Sequence, residues 1–247
     1  MKIRLPWLVL AMALVMNGCQ KGSEIRSDIY DIQRRNMVRW DLKAKGIKSS
    51  SVLTAVQQVP RHLFLFEKDR ANAYTDADLP IAQFIDTPKP YVVAKTIELL
   101  NLTPSDKVLE IGTGRGYQTA LMAELAKEVY TIEIIPQLFE EAKKTLEELN
   151  YKNVFCRLGD GYAGWPENMP FDAILVSPSG NEVPKPLLEQ LAVGGRLVMP
   201  IGNIPDQTLV LYRKTSSGLR KEKIMPIQVD TMEGAIVGRS LRLPPSK

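Results

Sequence analysis

From Tyr91 onward, strand-like and helix-like segments take turns, and this alternation limits the fold more than any other feature of the 247 residues. Helical spacing runs from Tyr91 to Leu100, Tyr117 to Ala126, Pro136 to Leu149 and Pro186 to Leu191. Apolar, β-rich runs fall at Lys107 to Ile111, Val129 to Ile132, Val154 to Leu158, Phe171 to Val176 and Gly195 to Ile201. Thr208 to Lys214 and Lys223 to Val229 read as a closing antiparallel pair. Parallel neighbours need a long crossover, normally a helix, so the pattern predicts an α/β fold with a doubly wound, mainly parallel sheet. Such a sheet binds its ligand beyond the carboxyl ends of its strands.

The first strand runs straight into Gly112, Gly114 and Gly116, a G-x-G-x-G loop that opens the next helix. Glycine there permits positive φ and lets a ligand approach the backbone, and the helix start offers free N–H groups. The loop is one residue tighter than the dinucleotide fingerprint G-x-G-x-x-G and contains no lysine for phosphate. Acids follow three consecutive strands: Glu110 in VLEIG, Glu133 in YTIEI and Asp160 in LGDGY. A bland reading makes these solvent-facing or capping acids, and GDG is also a common turn. Their shared placement at the switch-point side of the sheet argues for a ligand instead. Glu133 suits two ribose hydroxyls, and Asp160 suits an exocyclic amine. A phosphate-free ligand with cationic character fits the set, and S-adenosyl-L-methionine matches it.

The other chemistry-bearing residues are few. His62 is the one histidine and Cys19 and Cys156 the two cysteines, which argues against a zinc site or a Cys/His catalytic pair; no metal is expected. Cys156, in the apolar run NVFCRL, reads as buried filler. The net charge is only +4, and the basic run from Arg213 to Lys223 reads as a solvated face. No basic block is interleaved with aromatics, so no nucleic-acid partner is expected. Glu24 to Lys45 carries Ile25, Ile29, Ile32, Val38 and Leu42 at helical spacing, which predicts one or two helices ended by Gly46. Ser49 to Ser51 can cap a short helix through Val59, stopped by Pro60. Residues 61 to 90 read as a loop-rich segment, and long loops inside compact domains are often functional.

Residues 1 to 19, MKIRLPWLVLAMALVMNGC, have a positive start at Lys2 and Arg4 and an apolar stretch from Leu5 to Met16, too short to span a bilayer as a stable helix. Gly18 then precedes Cys19. The order resembles a bacterial lipoprotein signal and predicts a lipid-anchored protein at the envelope, attached to the membrane through Cys19. The alternatives are an uncleaved anchor or a misplaced start, with translation from Met12, Met16 or Met37 and a cytoplasmic protein.

Beyond these single features, the ordered set VPRHLF, AYTDADLPI, PYVVA, KVLEIGTGRGYQTA, YTIE, GDGYAGWPE, PFDAILV, LLEQLAVGGRLVMPIG and MEG resembles the protein-L-isoaspartate O-methyltransferases over roughly residues 35 to 234. The resemblance implies a Rossmann-like methyltransferase fold preceded by an N-terminal helical segment. It divides the chain into a leader (1–19), N-terminal helices and substrate loop (20–90), a cofactor-binding α/β domain (91–234) and a tail (235–247). It implies methyl transfer from S-adenosyl-L-methionine to the free carboxylate of isoaspartyl residues in damaged proteins, which are then the partners of a chain expected to be monomeric. Carried over by position, Glu110 with the backbone of Gly112 and Gly114 holds the cofactor's amino-acid end, Glu133 its ribose, and Asp160 with Gly161 its adenine.

One segment departs from that pattern. The family's substrate loop typically reads L-P-I-G-x-G-Q-T-I-S-x-P-Y, with Thr and Ser contacting the reacting carboxylate. Residues 79 to 91 read LPIAQFIDTPKPY, so Asp86 stands at the Thr position and Pro88 at the Ser position; a two-residue shift puts Asp86 on the Ser. A hydroxyl donates to a carboxylate, whereas an ionised Asp86 repels it, by roughly 4 kcal/mol at about 4 Å and an effective dielectric near 20. Thr87 or Lys89 would have to compensate. Three functions therefore stay open: isoaspartyl methylation, methylation of a changed acceptor, and a lipid-anchored paralogue that binds a nucleoside or peptide without catalysis. The leader favours the last, because the donor is made in the cytoplasm; the intact acids and glycine loop favour the first two.

Overall fold

The computed structural model describes residues 29–83 and 85–230. Helix α1 (29–36) passes without a break into a π-helical turn, Met37–Lys43, so the segment expected as one or two helices is one rod with a widened end. Helix α2, Ser50–Gln58, begins where the sequence places its cap: the Ser49 hydroxyl accepts from Val52 N at 3.3 Å. Two 3₁₀ turns, Arg61–Phe64 and Glu67–Asn72, lead into strands β1, Leu79–Ala82, and β2, Ile85–Thr87. The segment read as loop-rich thus contains a β-hairpin. Strands of four and three residues are too short to show a period.

The α/β part follows. Its elements are α3 (Pro90–Leu100), β3 (Lys107–Ile111), α4 (Tyr117–Ala123), β4 (Glu128–Glu133), α5 (Pro136–Glu148) and β5 (Val154–Leu158). Then come β6 (Phe171–Val176), α6 (Lys185–Gln190), β7 (Leu191–Ile201), β8 (Thr208–Thr215) and β9 (Gly218–Pro226). Proline opens α3 and α5, where its missing N–H costs nothing. Asn101 in a left-handed conformation (φ 47°) closes α3.

Seven strands form one sheet in the order β5-β4-β3-β6-β7-β8-β9. The pairings from β5 to β7 are parallel, and β8 and β9 run antiparallel. The mainly parallel sheet and its antiparallel closing pair are as expected. The last strand differs: β9 begins at Gly218, not Lys223, and Arg213 pairs with Arg220. Much of the basic run is therefore the two arms of an exposed hairpin, and Arg220, Lys221 and Lys223 lie on the sheet's edge strand, where charge discourages further pairing.

Side chains alternate across the sheet with the period of two that strands impose. Val108, Val129, Ala173, Leu175 and Val198 face one core, which they share with α2, α3, α4 and the N-terminal Met37 and Leu42. Leu109, Ile132, Ile174, Leu197 and Met199 face a second core closed by Leu187 and Leu191. Burial on both sides explains why these strands read as continuous apolar runs. The chain goes from β3 outward to β4 and β5, then returns to β6 on the other side of β3. The carboxyl ends of β3 and β6 are therefore the switch point at which a doubly wound sheet opens a crevice. Among the described residues no helix is long and apolar enough to cross a membrane. The leader and the MEG segment lie outside the described residues.

Candidate functional site

The candidate site lies at the tips of β3, β4, β5 and β6, beside the switch point. Gly112 N donates to Ile132 O and Ser177 N to Ile111 O, both at 2.9 Å, which lock the three strand ends together. Gly112 (φ 92°) and Gly114 (φ 57°) turn the chain through conformations that a side chain disfavours. Space is tight as well: a Cβ at Gly112 would lie 3.1 Å from Pro178 Cδ, and one at Gly114 would lie 3.1 Å from Ile81 Cδ1 of β1, so each neighbour would have to give way slightly. Gly116 caps α4.

Glu110 is fully buried. Its Oε2 accepts from Thr131 Oγ1 at 2.7 Å and from Thr119 Oγ1, while Oε1 is buried without a hydrogen-bond partner. Burial pushes its carboxyl up to about 7, against the pull of the hydroxyls of Thr119 and Thr131 and the amide of Gln118; neighbouring Glu133 raises it further. Glu133 is buried too, and its carboxylate braces the loop: Gly114 N donates to Oε2 at 2.8 Å and Ile135 N to Oε1 at 2.9 Å. Burial raises its pKa, and the N–H groups of Ile135, Gly114 and Ile134 oppose the shift. Asp160 is exposed at the end of β5 and accepts from Tyr162 N at 2.9 Å. Gly161 beside it is buried, and a Cβ there would come within 2.3 Å of Ile111 Cγ2, so no other residue fits.

The hairpin that carries Asp86, Thr87, Pro88 and Lys89 is fastened at its base. The buried guanidinium of Arg61 donates to Ala73 O at 2.8 Å and to Pro88 O at 3.1 Å, and lies over the Tyr117 ring of α4 at 5.6 Å. Asp78 accepts from Lys89 N at 2.8 Å, and Asp76 from Tyr91 N at 3.1 Å. Ile81 approaches Gly114, so β1 rests on the glycine loop. Asp86 is exposed, whereas Thr87, Pro88 and Lys89 are half-buried. On the far side, Gln118 Nε2 donates to Ser177 Oγ at 3.0 Å, and Gln207 Nε2 donates to Ser179 Oγ at 2.7 Å and to Val229 O at 2.9 Å.

Of the three strand-end acids, Glu133 bonds the glycine loop directly, Glu110 bonds Thr119 and Thr131, and Asp160 lies at the end of β5 beside Gly161, which abuts Ile111. Sequence reasoning missed the groups around Glu110, which are Thr119, Thr131 and Gln118, and the anchors of the hairpin, Arg61 and Asp78. A buried threonine looks the same in sequence as an exposed one, but Thr119 stands nine residues after Glu110, in the first turn of the helix that the loop feeds. Among the described residues no cluster of His, Cys, Asp and Glu could hold a metal ion. Oε1 of Glu110, buried without a hydrogen-bond partner, and the oxygens of Glu133 leave acceptor capacity at the strand tips.

Comparison with known proteins narrows the chemistry. A family model described as protein-L-isoaspartate(D-aspartate) O-methyltransferase matches residues 33–229. The chain is 45% identical over 205 residues to a protein-L-isoaspartate O-methyltransferase of Picosynechococcus sp., covering 83% of this chain and 92% of that one. It is 49% identical over 188 residues to a protein-L-isoaspartate O-methyltransferase 2 of Geotalea uraniireducens, covering 76% and 87%. A solved protein-L-isoaspartate O-methyltransferase superposes with a TM-score of 0.75 at 30% identity, over 82% of this chain and 67% of that one. A Plasmodium falciparum structure of the same description, in complex with S-adenosyl-L-homocysteine, superposes at 0.71 over 81% and 98%; at 24% identity it speaks for the fold alone. With the match running from α1 through the strand tips to the segment after β9, the chain belongs to the protein-L-isoaspartate(D-aspartate) O-methyltransferase family.

Proposed function

We propose that the strand-tip acids hold S-adenosyl-L-methionine while the β1–β2 hairpin presents the free carboxylate of an L-isoaspartyl residue of a damaged protein for methylation. When bound, the donor supplies an electrophilic methyl group on a sulfonium, already activated toward an ionised carboxylate. The chain's own task is alignment and exclusion of water, worth about 7–11 kcal/mol when the geometry is right. No side chain has to move a proton, which suits a site without histidine.

Glu133 takes the ribose hydroxyls. Each of its oxygens holds one backbone N–H and keeps acceptor capacity beyond it. Glu110 and the backbone of Gly112 and Gly114 take the amino-acid end, with Oε1 of Glu110 as acceptor for an ammonium. Asp160 and Gly161 take the adenine. On the acceptor side, the Thr87 hydroxyl or the Lys89 ammonium replaces the missing serine. Asp86 is exposed, so water damps its repulsion of the incoming carboxylate.

The observation that carries this reading is the Gly114 amide bonded to the Glu133 carboxylate, in a chain of this family. Calorimetry with S-adenosyl-L-homocysteine on residues 20–247, followed by methyl transfer to an isoaspartyl peptide and its aspartyl twin, tests it. The expected result is binding, with transfer to the isoaspartyl peptide alone. Binding without transfer would leave a methyltransferase of changed acceptor, and no binding would leave a non-catalytic protein. The leader supports a further part of the proposal: the chain is acylated on Cys19 and held at the envelope. Palmitate label lost in Cys19→Ala is the expected result, and label absent from the wild type would point instead to a misplaced start or an uncleaved leader.

A further inference from the structure

Helix α1 and the π turn after it bury one face and leave the other open. Met37 and Leu42 are 1% and 0% exposed, whereas Ile29, Ile32 and Trp40 are 48%, 51% and 58% exposed. With Asn36 between them, these exposed residues recur three or four positions apart and so share one stripe. Arg35 and Arg39 are exposed alongside, and Lys43 follows one turn later. The Arg39 guanidinium lies over the Trp40 ring, 4.7 Å from its centroid. The acids of this rod are engaged at its sides, Asp31 with Arg34 and Asp41 with Lys45.

Isoleucines that the core does not need, a surface tryptophan and flanking cations are what an interfacial helix requires. The apolar side chains enter the boundary of the acyl region, the indole sits at headgroup level, and the cations meet anionic lipid. We propose that this face docks on an anionic phospholipid bilayer. The position of the leader fits that occupant. Cys19 precedes Ile29 by ten residues, a tether of at most about 35 Å. A single acyl chain attaches only marginally, and stable anchoring needs a second signal, which the α1 face supplies. The proposal draws on the envelope reading for its setting, but the docking itself does not require Cys19.

Flotation with vesicles tests it, using residues 20–247, which retain every described residue and lack the acylation site. Vesicles of phosphatidylcholine with a quarter phosphatidylglycerol should carry the protein at low salt, and pure phosphatidylcholine should not. Arg35→Glu with Arg39→Glu should lower the bound fraction at least about tenfold. Ile29→Ser with Trp40→Ser should lower it by a similar factor, about tenfold. S-adenosyl-L-homocysteine binding should be unchanged in both, which shows that the variants fold. No flotation on anionic vesicles, or flotation that neither pair disturbs, overturns the proposal. Palmitate labelling of the full chain judges the Cys19 reading separately, so either idea can fail without the other.

Discussion

The strand-tip cradle and the acceptor hairpin stand against each other across the Ile81–Gly114 contact, and they are built in opposite ways. In the cradle, Glu110 and Glu133 are buried and bonded to groups of the sheet and its loops. Parallel register fixes those groups over five strands, and a change at one tip disturbs its neighbours. The hairpin is short, its register shifts between Pro80 and Ala82, and it is held by Arg61 and Asp78 at its base and by the buried Leu79 and Ile81 of β1, while Asp86 of β2 is exposed. A loop held at its base can change its contact residues without cost to the scaffold. The resemblance read from the sequence, an intact donor half beside an altered segment at residues 86 to 89, agrees with that difference in anchoring.

If the cradle is the rigid partner, its largest sensitivity is at Glu133. Glu133→Ala removes the acceptor for Gly114 N and Ile135 N as well as the proposed ribose contact. Hydrogen bonds to a charged group contribute about 1.5–3 kcal/mol each, so affinity for S-adenosyl-L-homocysteine should fall about a hundredfold by calorimetry. Unchanged affinity would remove the ribose assignment and the cradle with it.

The next test severs the hairpin from its base. Arg61→Met keeps the buried stem but loses the bonds to Ala73 O and Pro88 O. Burial already lowers the pKa of this guanidinium, so removing the charge recovers part of the loss. A net destabilisation of about 2 kcal/mol by urea unfolding is expected. KM for an isoaspartyl peptide should rise roughly tenfold, with cofactor affinity nearly constant. Equal losses on both sides would mean that the two regions are one unit.

The same contrast explains what could be read in advance. The strands from Lys107 to Ile111 and Phe171 to Val176 match the structure residue for residue, because near-complete burial and a glycine or proline break mark each one; Val154 to Leu158 matches as well, although it is a partly exposed edge strand, because its apolar run stops at Gly159. The acids at the strand ends were legible from topology. Their supports were not: Thr119 and Thr131 meet Glu110 only once α4 packs on the sheet, and Arg61 finds Pro88 across twenty-seven residues. The hairpin escaped notice because tertiary anchors, not an alternating pattern, hold it in place. The start of β9 was missed for a related reason. Its outer half is charged on both faces, so only pairing with β8 makes it a strand.

A smaller effect separates the regions by pH. The Glu110 carboxyl is pushed up to about 7 from 4.5, so between those values the unfolded chain gives up its proton before the folded one does. Stability therefore falls as pH rises through that window and levels off above it. A ligand ammonium favours the ionised form, so cofactor affinity moves the other way, rising by up to about tenfold from about pH 6 to pH 8. Calorimetry across that range should show proton release on binding below neutrality. Glu110→Gln should flatten the slope, whereas Asp86→Asn should leave it in place. A slope that survives Glu110→Gln would assign the titration to another group.

The smallest change expected is a gain. Asp86→Ser with Pro88→Ser restores hydroxyls at the positions where the family's loop carries Thr and Ser, and removes one exposed charge. Because Asp86 is exposed, relief of its repulsion is screened by water and salt, contributing well under the ~4 kcal/mol of a shielded pair. Pro88 gives up only its ring, since Arg61 bonds its backbone carbonyl and a serine keeps that acceptor. Isoaspartyl kcat/KM should therefore rise a few-fold, on the order of 1 kcal/mol, with S-adenosyl-L-homocysteine affinity unchanged. No gain would show that Thr87 or Lys89 already holds the acceptor carboxylate. Thr87→Ala and Lys89→Ala, compared by KM for the same peptide, then tell which of the two it is.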